Sequence, residues 1–222
     1  YHEKIIKLPN IWSTHSGFNL VRNYREPPLK KNKYVTFGSF NNFMKISSDV
    51  VQTWSKILKK INNSKLILKS SEKYNYEILM KKFEKYGVDH MIQILDKKDF
   101  DKIEDHLNLY NEIDIALDTF PYTGVTTTFE ALWMGVPVLS LKGHNFKSRC
   151  GESILKNANL DYLICSNKDE YIQKAYELSN DINSLSEIRT DIFNNILNTN
   201  LFNNEKYVFE FEKMLIEKCK NI

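Results

Sequence analysis

From Tyr34 onward the chain alternates between two patterns, and this alternation limits its fold more than any single motif. Short apolar runs, YVTFGSF (34–40), KLILKS (65–70), HMIQILD (90–96), IDIALD (113–118), PVLSL (137–141) and YLIC (162–165), read as strands. Each is followed by a longer stretch with apolar residues at helical spacing. The first, 49–61, carries Val50, Val51, Trp54, Ile57, Leu58 and Ile61, with Ser47 or Ser48 before it as cap. Others are expected at 74–86, closed by Gly87, at 100–110, from Thr126 onward, at 148–157 and at 169–179. Strands separated by helices pair in parallel, because a parallel pair needs a crossover and the crossover is the helix. The expected fold is therefore α/β, a Rossmann-like parallel sheet with helices on both faces. Two more helices, near 182–197 and 204–220, make a helical C-terminal tail.

Residues 1–33 hold Pro9, Gly17, Pro27 and Pro28 and read as a lead-in or linker rather than as another strand-helix unit. The opening YHEKIIKLPN has no apolar core of a signal peptide and no initiator Met, which suggests a piece of a longer protein. No apolar run is long enough to span a bilayer, so no membrane partner is expected. A formal net charge of +3 is too small to argue for nucleic acid. The three cysteines, Cys150, Cys165 and Cys219, are odd in number and lack CxxC spacing, which suits a reducing cytoplasm better than a disulfide framework or a zinc site.

In open α/β sheets ligands bind beyond the carboxyl ends of the strands. After the first strand comes Asn41-Asn42-Phe43-Met44-Lys45, a lysine among small polar residues just before a helix. A compact cation with backbone donors suits a phosphate, although a solvated loop lysine would look the same. After the fourth strand comes Asp118-Thr119-Phe120-Pro121-Tyr122-Thr123-Gly124, a turn in which Gly124 can take a positive φ that a bulky residue would resist. Thr126, Thr127 and Thr128 then open a helix. Threonine is a poor interior helix residue and a good cap, and a helix N-terminus offers unpaired N–H groups and a positive dipole end to an anion. Thr127-x-x-Glu130 fits a capping box, and Glu130 fits equally well as an acceptor for ribose hydroxyls. His106, on the helix before the fourth strand, has no obvious role by position. Asp99-Phe100-Asp101 resembles a metal-holding DxD, but N-cap duty accounts better for Asp99. There is no GxGxxG, no GxxxxGK[ST] and no set with metal-ligand spacing.

Several blocks in order then resemble one family. YVTFGSFNNFMKIS, His106 ahead of IDIALDTFPYTGVTTTFEALWMGVPV, and GHNFKSRCG resemble the C-terminal catalytic region of the O-GlcNAc transferase / SPINDLY glycosyltransferases. The likeness covers nearly the whole chain and implies a GT-B enzyme that needs no metal or other cofactor. Residues 34–222 would be its nucleotide-sugar-binding, donor half, and 1–33 the remnant of a missing upstream catalytic half that commonly follows a tetratricopeptide solenoid. It further implies that Lys45 contacts the donor diphosphate and stabilises the leaving group, and that Asn42 is close to the phosphates. Thr126 and Thr127, beside Gly124, would hold phosphate. His106 would lie against the base, and Glu130 would bind ribose.

The sequence departs from the animal-type pattern twice, with Val125 in place of a histidine after the turn glycine and Ile103 in place of a lysine before His106. FPY with three threonines is more similar to the SPINDLY branch, whose plant members use GDP-fucose. The expected activity is sugar transfer to Ser or Thr hydroxyls of proteins, from UDP-GlcNAc or alternatively from GDP-fucose. A nucleotide-sugar-binding module without turnover, a scaffold and a GT-B epimerase are the competing readings.

Overall fold

The computed structural model describes residues 5–70 and 73–220; the first four residues of the lead-in lie outside that range. Six strands, β1 (Val35–Ser39), β2 (Ser64–Ser70), β3 (Ile92–Asp96), β4 (Ile115–Leu117), β5 (Val138–Leu141) and β6 (Ile164–Cys165), form one sheet in the order β3-β2-β1-β4-β5-β6. Every pairing is parallel, with Phe37 opposite Leu66 on one side and Ile115 on the other. The helices are α1 (Leu29–Asn32), α2 (Ser48–Lys60), α3 (Lys73–Glu84), α4 (Ile103–Asn108), α5 (Thr126–Trp133), α6 (Phe146–Asn157), α7 (Lys168–Asn180), α8 (Ile182–Asn195) and α9 (Asn204–Cys219). They cover both faces: α2 packs against α3 and α7 on one, α5 against α6 and α8 on the other. All five residues of β1 are buried, as a central strand covered on both sides requires.

α2 shows how the sequence places an element. The Ser47 hydroxyl accepts from the Val50 N–H at its N-terminus, Asp49 stands in the first turn, and Lys59 and Lys60 in the last. Val50, Val51, Trp54, Ile57 and Leu58 form its buried stripe. Burying one such side chain stabilises by about 1.5–3 kcal/mol, several times any helix propensity difference, so packing rather than propensity fixes this helix. The helix before it in the sheet order, α3, stops before Gly87, which takes φ +66° and lets the chain reverse.

The region expected as one helix over 100–110 is broken instead. A 3-10 turn at Lys97–Phe100 precedes α4, and a second at Leu109–Glu112 follows it. Asp96, not Asp99, is the capping carboxylate, its Oδ1 accepting from the Lys98 N–H at 3.0 Å. Lys102, at the N-cap of α4, takes an extended backbone conformation (φ −78°, ψ 140°), and this interrupts the helix between the first 3-10 turn and α4.

Residues 5–33 are not a free linker. The Asn10 side chain donates to Glu210 on α9, the His15 N–H donates to the Leu201 carbonyl, and Tyr207 donates to the Trp12 carbonyl. Ile11 is buried in the core. Arg22 stacks over Phe193 and Trp133 and donates to the Trp133 carbonyl, and the Leu29 N–H donates to the Asp114 carboxylate.

Candidate functional site

Strand order reverses between β1 and β4, whose following segments leave in opposite directions and open a crevice at their carboxyl ends. The segments that leave are Phe40–Lys45 after β1 and 118–128 after β4. Two hydrogen bonds join them. Lys45 Nζ donates to the Thr123 carbonyl at 3.0 Å, and Thr127 Oγ1 donates to Asn41 Oδ1 at 3.0 Å. Lys45 also lies over the Tyr122 ring, 4.1 Å from its centroid. Burial holds its ammonium below the usual lysine range, and the Asp118 charge works against that.

The turn itself is organised by Asp118, which is buried. Its Oδ1 accepts from the Thr119 N–H at 2.9 Å and the Gly124 N–H at 2.6 Å, and its Oδ2 accepts from Ser140 on β5 at 2.7 Å. Burial raises this carboxyl to about 6; the three donors and Lys45 pull the other way. Gly124 does not use the positive φ open to it: among the described glycines that conformation occurs at Gly17, Gly87 and Gly135. What Gly124 supplies is space. A Cβ there would stand 2.6 Å from Thr127 Oγ1 and 2.9 Å from Thr128 Oγ1, too close for any side chain.

α5 begins one residue earlier than a Thr126 cap would put it. Val125 occupies the N-cap and has no capping oxygen, so the three threonines are the first turn of the helix. The Thr128 and Phe129 N–H groups both donate to the Val125 carbonyl. The N–H groups of Thr126 and Thr127 make no hydrogen bond among the described residues. A helix N-terminus with two open donors, next to a half-buried lysine, is a seat for an anion.

Glu130 settles its own ambiguity between capping box and inward-facing acid. It does not reach back to the Thr127 N–H. Its Oε2 accepts from Tyr110 at 2.8 Å and pairs with His106 Nε2 at 2.9 Å. Tyr110 is buried, and burial, with the Glu130 charge beside it, raises its phenol well above the ordinary value. Lys69, near the end of β2, hydrogen-bonds the other ring nitrogen of His106. Phe40 lies 4.8 Å from Tyr110 and 6.3 Å from His106, centroid to centroid.

Lys45, Thr126, Thr127, Gly124, His106 and Glu130 thus come from three separate segments to one edge of the sheet. Asn42 stands apart. It is exposed, and its Oδ1 accepts from the Met44 N–H to cap the short 3-10 turn Phe43–Lys45. Its neighbour Asn41 is the amide that turns inward. Asn41, Lys69, Tyr110 and Asp118 belong to the site and were not singled out by sequence. A carboxylate closing the buried run IDIALD was the one available signal among them. Among the described residues no group of His, Cys, Asp and Glu is arranged to hold a metal ion.

This geometry has relatives. A tomato protein named as a probable UDP-N-acetylglucosamine--peptide N-acetylglucosaminyltransferase SPINDLY is 33% identical over 198 residues, 86% of this chain and 21% of its own length. Its Arabidopsis thaliana counterpart is 32% identical over 194 residues and again 21% covered. The chain therefore spans about a fifth of these relatives. Among solved structures, a lysine-to-methionine variant of Thermobaculum terrenum O-GlcNAc transferase superposes with a TM-score of 0.88 at 28% identity, covering 99% of this chain and 42% of that one. TarM, at 15% identity and a TM-score of 0.66, shares the fold. The sequence profile of glycosyl transferase family 41 matches residues 20–211, and the chain belongs to that family.

Proposed function

We propose that this chain is the donor-binding domain of a metal-independent protein O-glycosyltransferase, which moves a sugar, GlcNAc from UDP-GlcNAc, to Ser or Thr hydroxyls. One observation carries the reading. Lys45 and the open N-terminus of α5 lie side by side through the Lys45–Thr123 and Asn41–Thr127 hydrogen bonds, and the carboxylate of Glu130 lies one turn further along the same helix. That is an anion seat followed by an acceptor, in the order in which a nucleoside diphosphate presents phosphates and ribose.

In the transfer the acceptor hydroxyl forms a bond to the anomeric carbon as the bond from that carbon to the diphosphate oxygen breaks. The departing nucleoside diphosphate gains negative charge. Lys45 and the Thr126 and Thr127 N–H groups would stabilise that charge as it develops. His106 would lie against the base and Glu130 would accept from the ribose hydroxyls, with Asn42 at the rim near the phosphates. The proton of the acceptor hydroxyl would leave to a base outside this chain, on an upstream catalytic half preceded by a tetratricopeptide solenoid; residues 1–33 would join the two. The names of the SPINDLY relatives support UDP-GlcNAc as donor, and a cytoplasmic site of action agrees with three scattered cysteines that lack disulfide or zinc spacing.

Calorimetry of the 222-residue chain with UDP, GDP, UDP-GlcNAc and GDP-fucose tests the reading. Binding of UDP and UDP-GlcNAc is expected. Preference for the guanine pair would move the donor to GDP-fucose, and binding of none would leave a scaffold.

A further inference from the structure

We propose that Lys69 is a positioning residue for Glu130, acting through the His106 ring. The proposal rests on the nucleotide reading of the site and adds a device to it. Lys69 stands near the end of β2, His106 on α4, Tyr110 in the 3-10 turn after it and Glu130 on α5. Lys69 is 8% exposed, and the side chains of His106 and Glu130 are 13% and 8% exposed. Polar groups buried to this degree are costly unless each is hydrogen-bonded, and here they satisfy one another in series.

The donor and acceptor roles in that series follow from one member. An ammonium can only donate. His106 Nδ1, bonded to Lys69, must therefore be the bare acceptor nitrogen. The ring proton is then on Nε2, where it is donated to Glu130 Oε2 at 2.9 Å. Tyr110 has two acceptors in reach, the same Oε2 at 2.8 Å and the Thr127 carbonyl at 3.2 Å. Oε2 is thus occupied by two donors from two elements. Oε1 has no hydrogen bond among the described residues, and it is the oxygen left to accept from a ligand. Lys69, by fixing which ring nitrogen donates, holds the carboxylate turned with Oε1 available. With both ring nitrogens engaged, His106 has only its faces to offer a base.

Lys69, Glu130 and Tyr110 are the titratable groups facing the ring from the packed elements among the described residues, and His15 of the lead-in acts on Glu130 from further off. The test is long-range proton–nitrogen NMR of the chain labelled with 15N-histidine, His106 being assigned by His106→Gln. At neutral pH the wild-type ring should show a proton on Nε2 and none on Nδ1. In Lys69→Met no donor faces Nδ1, so the ring proton should move to Nδ1 and leave Nε2 bare, which withdraws one of the two donors from Glu130 Oε2; Lys69→Arg, whose guanidinium also only donates, should return the proton to Nε2. Lys69→Met should weaken UDP and GDP about tenfold, the loss of one charge-assisted hydrogen bond, and leave inorganic pyrophosphate unaffected. A wild-type ring protonated on Nδ1 overturns the proposal, as does a Lys69→Met ring that is unchanged. If the methionine variant does not fold, the wild-type and arginine spectra still decide. A chain that binds neither UDP nor GDP overturns the nucleotide reading, while the ring signals still report on Lys69.

Discussion

Replacing Asp118 by Asn removes a buried charge and almost nothing else. The amide oxygen can go on accepting from the Thr119 and Gly124 N–H groups at the position of Oδ1. The new Nδ2 meets Ser140 Oγ, which can turn its hydrogen away and accept. The folded carboxyl titrates near 6 against 3.8 in its ordinary state, because burial outweighs its donors. A carboxyl raised on folding favours the folded state when protonated: its contribution is fully present below 3.8 and is lost as pH rises through about 6. At about 1.4 kcal/mol per pH unit, that loss is about 3 kcal/mol. The Asn variant stays neutral throughout. Its stability relative to wild type should therefore climb by about 2.5 kcal/mol between about pH 4 and about pH 8, while every other titrating group cancels in the difference. Urea unfolding of both proteins across that range, followed by tryptophan fluorescence, measures it. A difference that stays level with pH, or one that grows toward acid, refutes the account of Asp118 as a charge held in place for the sake of the turn.

Lys45→Ala should weaken UDP or GDP by about 1.5–3 kcal/mol in calorimetry, the range for hydrogen bonds to charged groups, with little change in melting because the lysine sits partly exposed on a short 3-10 turn outside the core. Glu130→Gln keeps an oxygen but halves the acceptors available to Tyr110 and His106; thermal melting should show about 1–2 kcal/mol of lost stability, and nucleotide affinity should fall while pyrophosphate affinity holds. Gly124→Ala drives a methyl group into Thr127 and Thr128; about 1–3 kcal/mol of stability should go, together with diphosphate binding, and normal binding in this variant would show that the turn has room after all.

The fold was legible because its signal is periodic and local. Six apolar runs, each closed by turn residues, sit within a few residues of the strands they foretell. The expected helix over 100–110 fails for a local reason as well: Asp99 has the look of a cap, and only the three-dimensional path shows that Asp96 accepts from the Lys98 N–H while an extended Lys102 breaks the run before α4. The site was half legible. Lys45 and the threonines follow strand ends, which is where a crevice must open. Asn41 and Asn42 differ by one position on a turn, and no periodicity says which of two adjacent amides faces inward. Lys69 and Tyr110 act on His106 and Glu130 across 37 and 20 residues of sequence, and pairings of that range leave no trace in spacing. Glycine serves both positive φ and close approach, and the letter is the same; at Gly124 the structure uses the second.

The segment 5–33 carries a practical consequence for anyone who trims this protein. Its sequence invites a cut at Tyr34, where the first strand begins. Such a cut would strip Ile11 out of the core, bare the aromatic faces of Trp133 and Phe193 that Arg22 covers, and leave Asp114 without the Leu29 N–H. Asp114 already sits above the ordinary carboxylate range because it is buried, with that N–H among the groups holding it down. Removal from the other end would be no gentler, since α9 holds Asn10 through Glu210 and Trp12 through Tyr207. The two ends of the chain brace each other, so a shortened version has to keep both or rebuild the surface that each conceals.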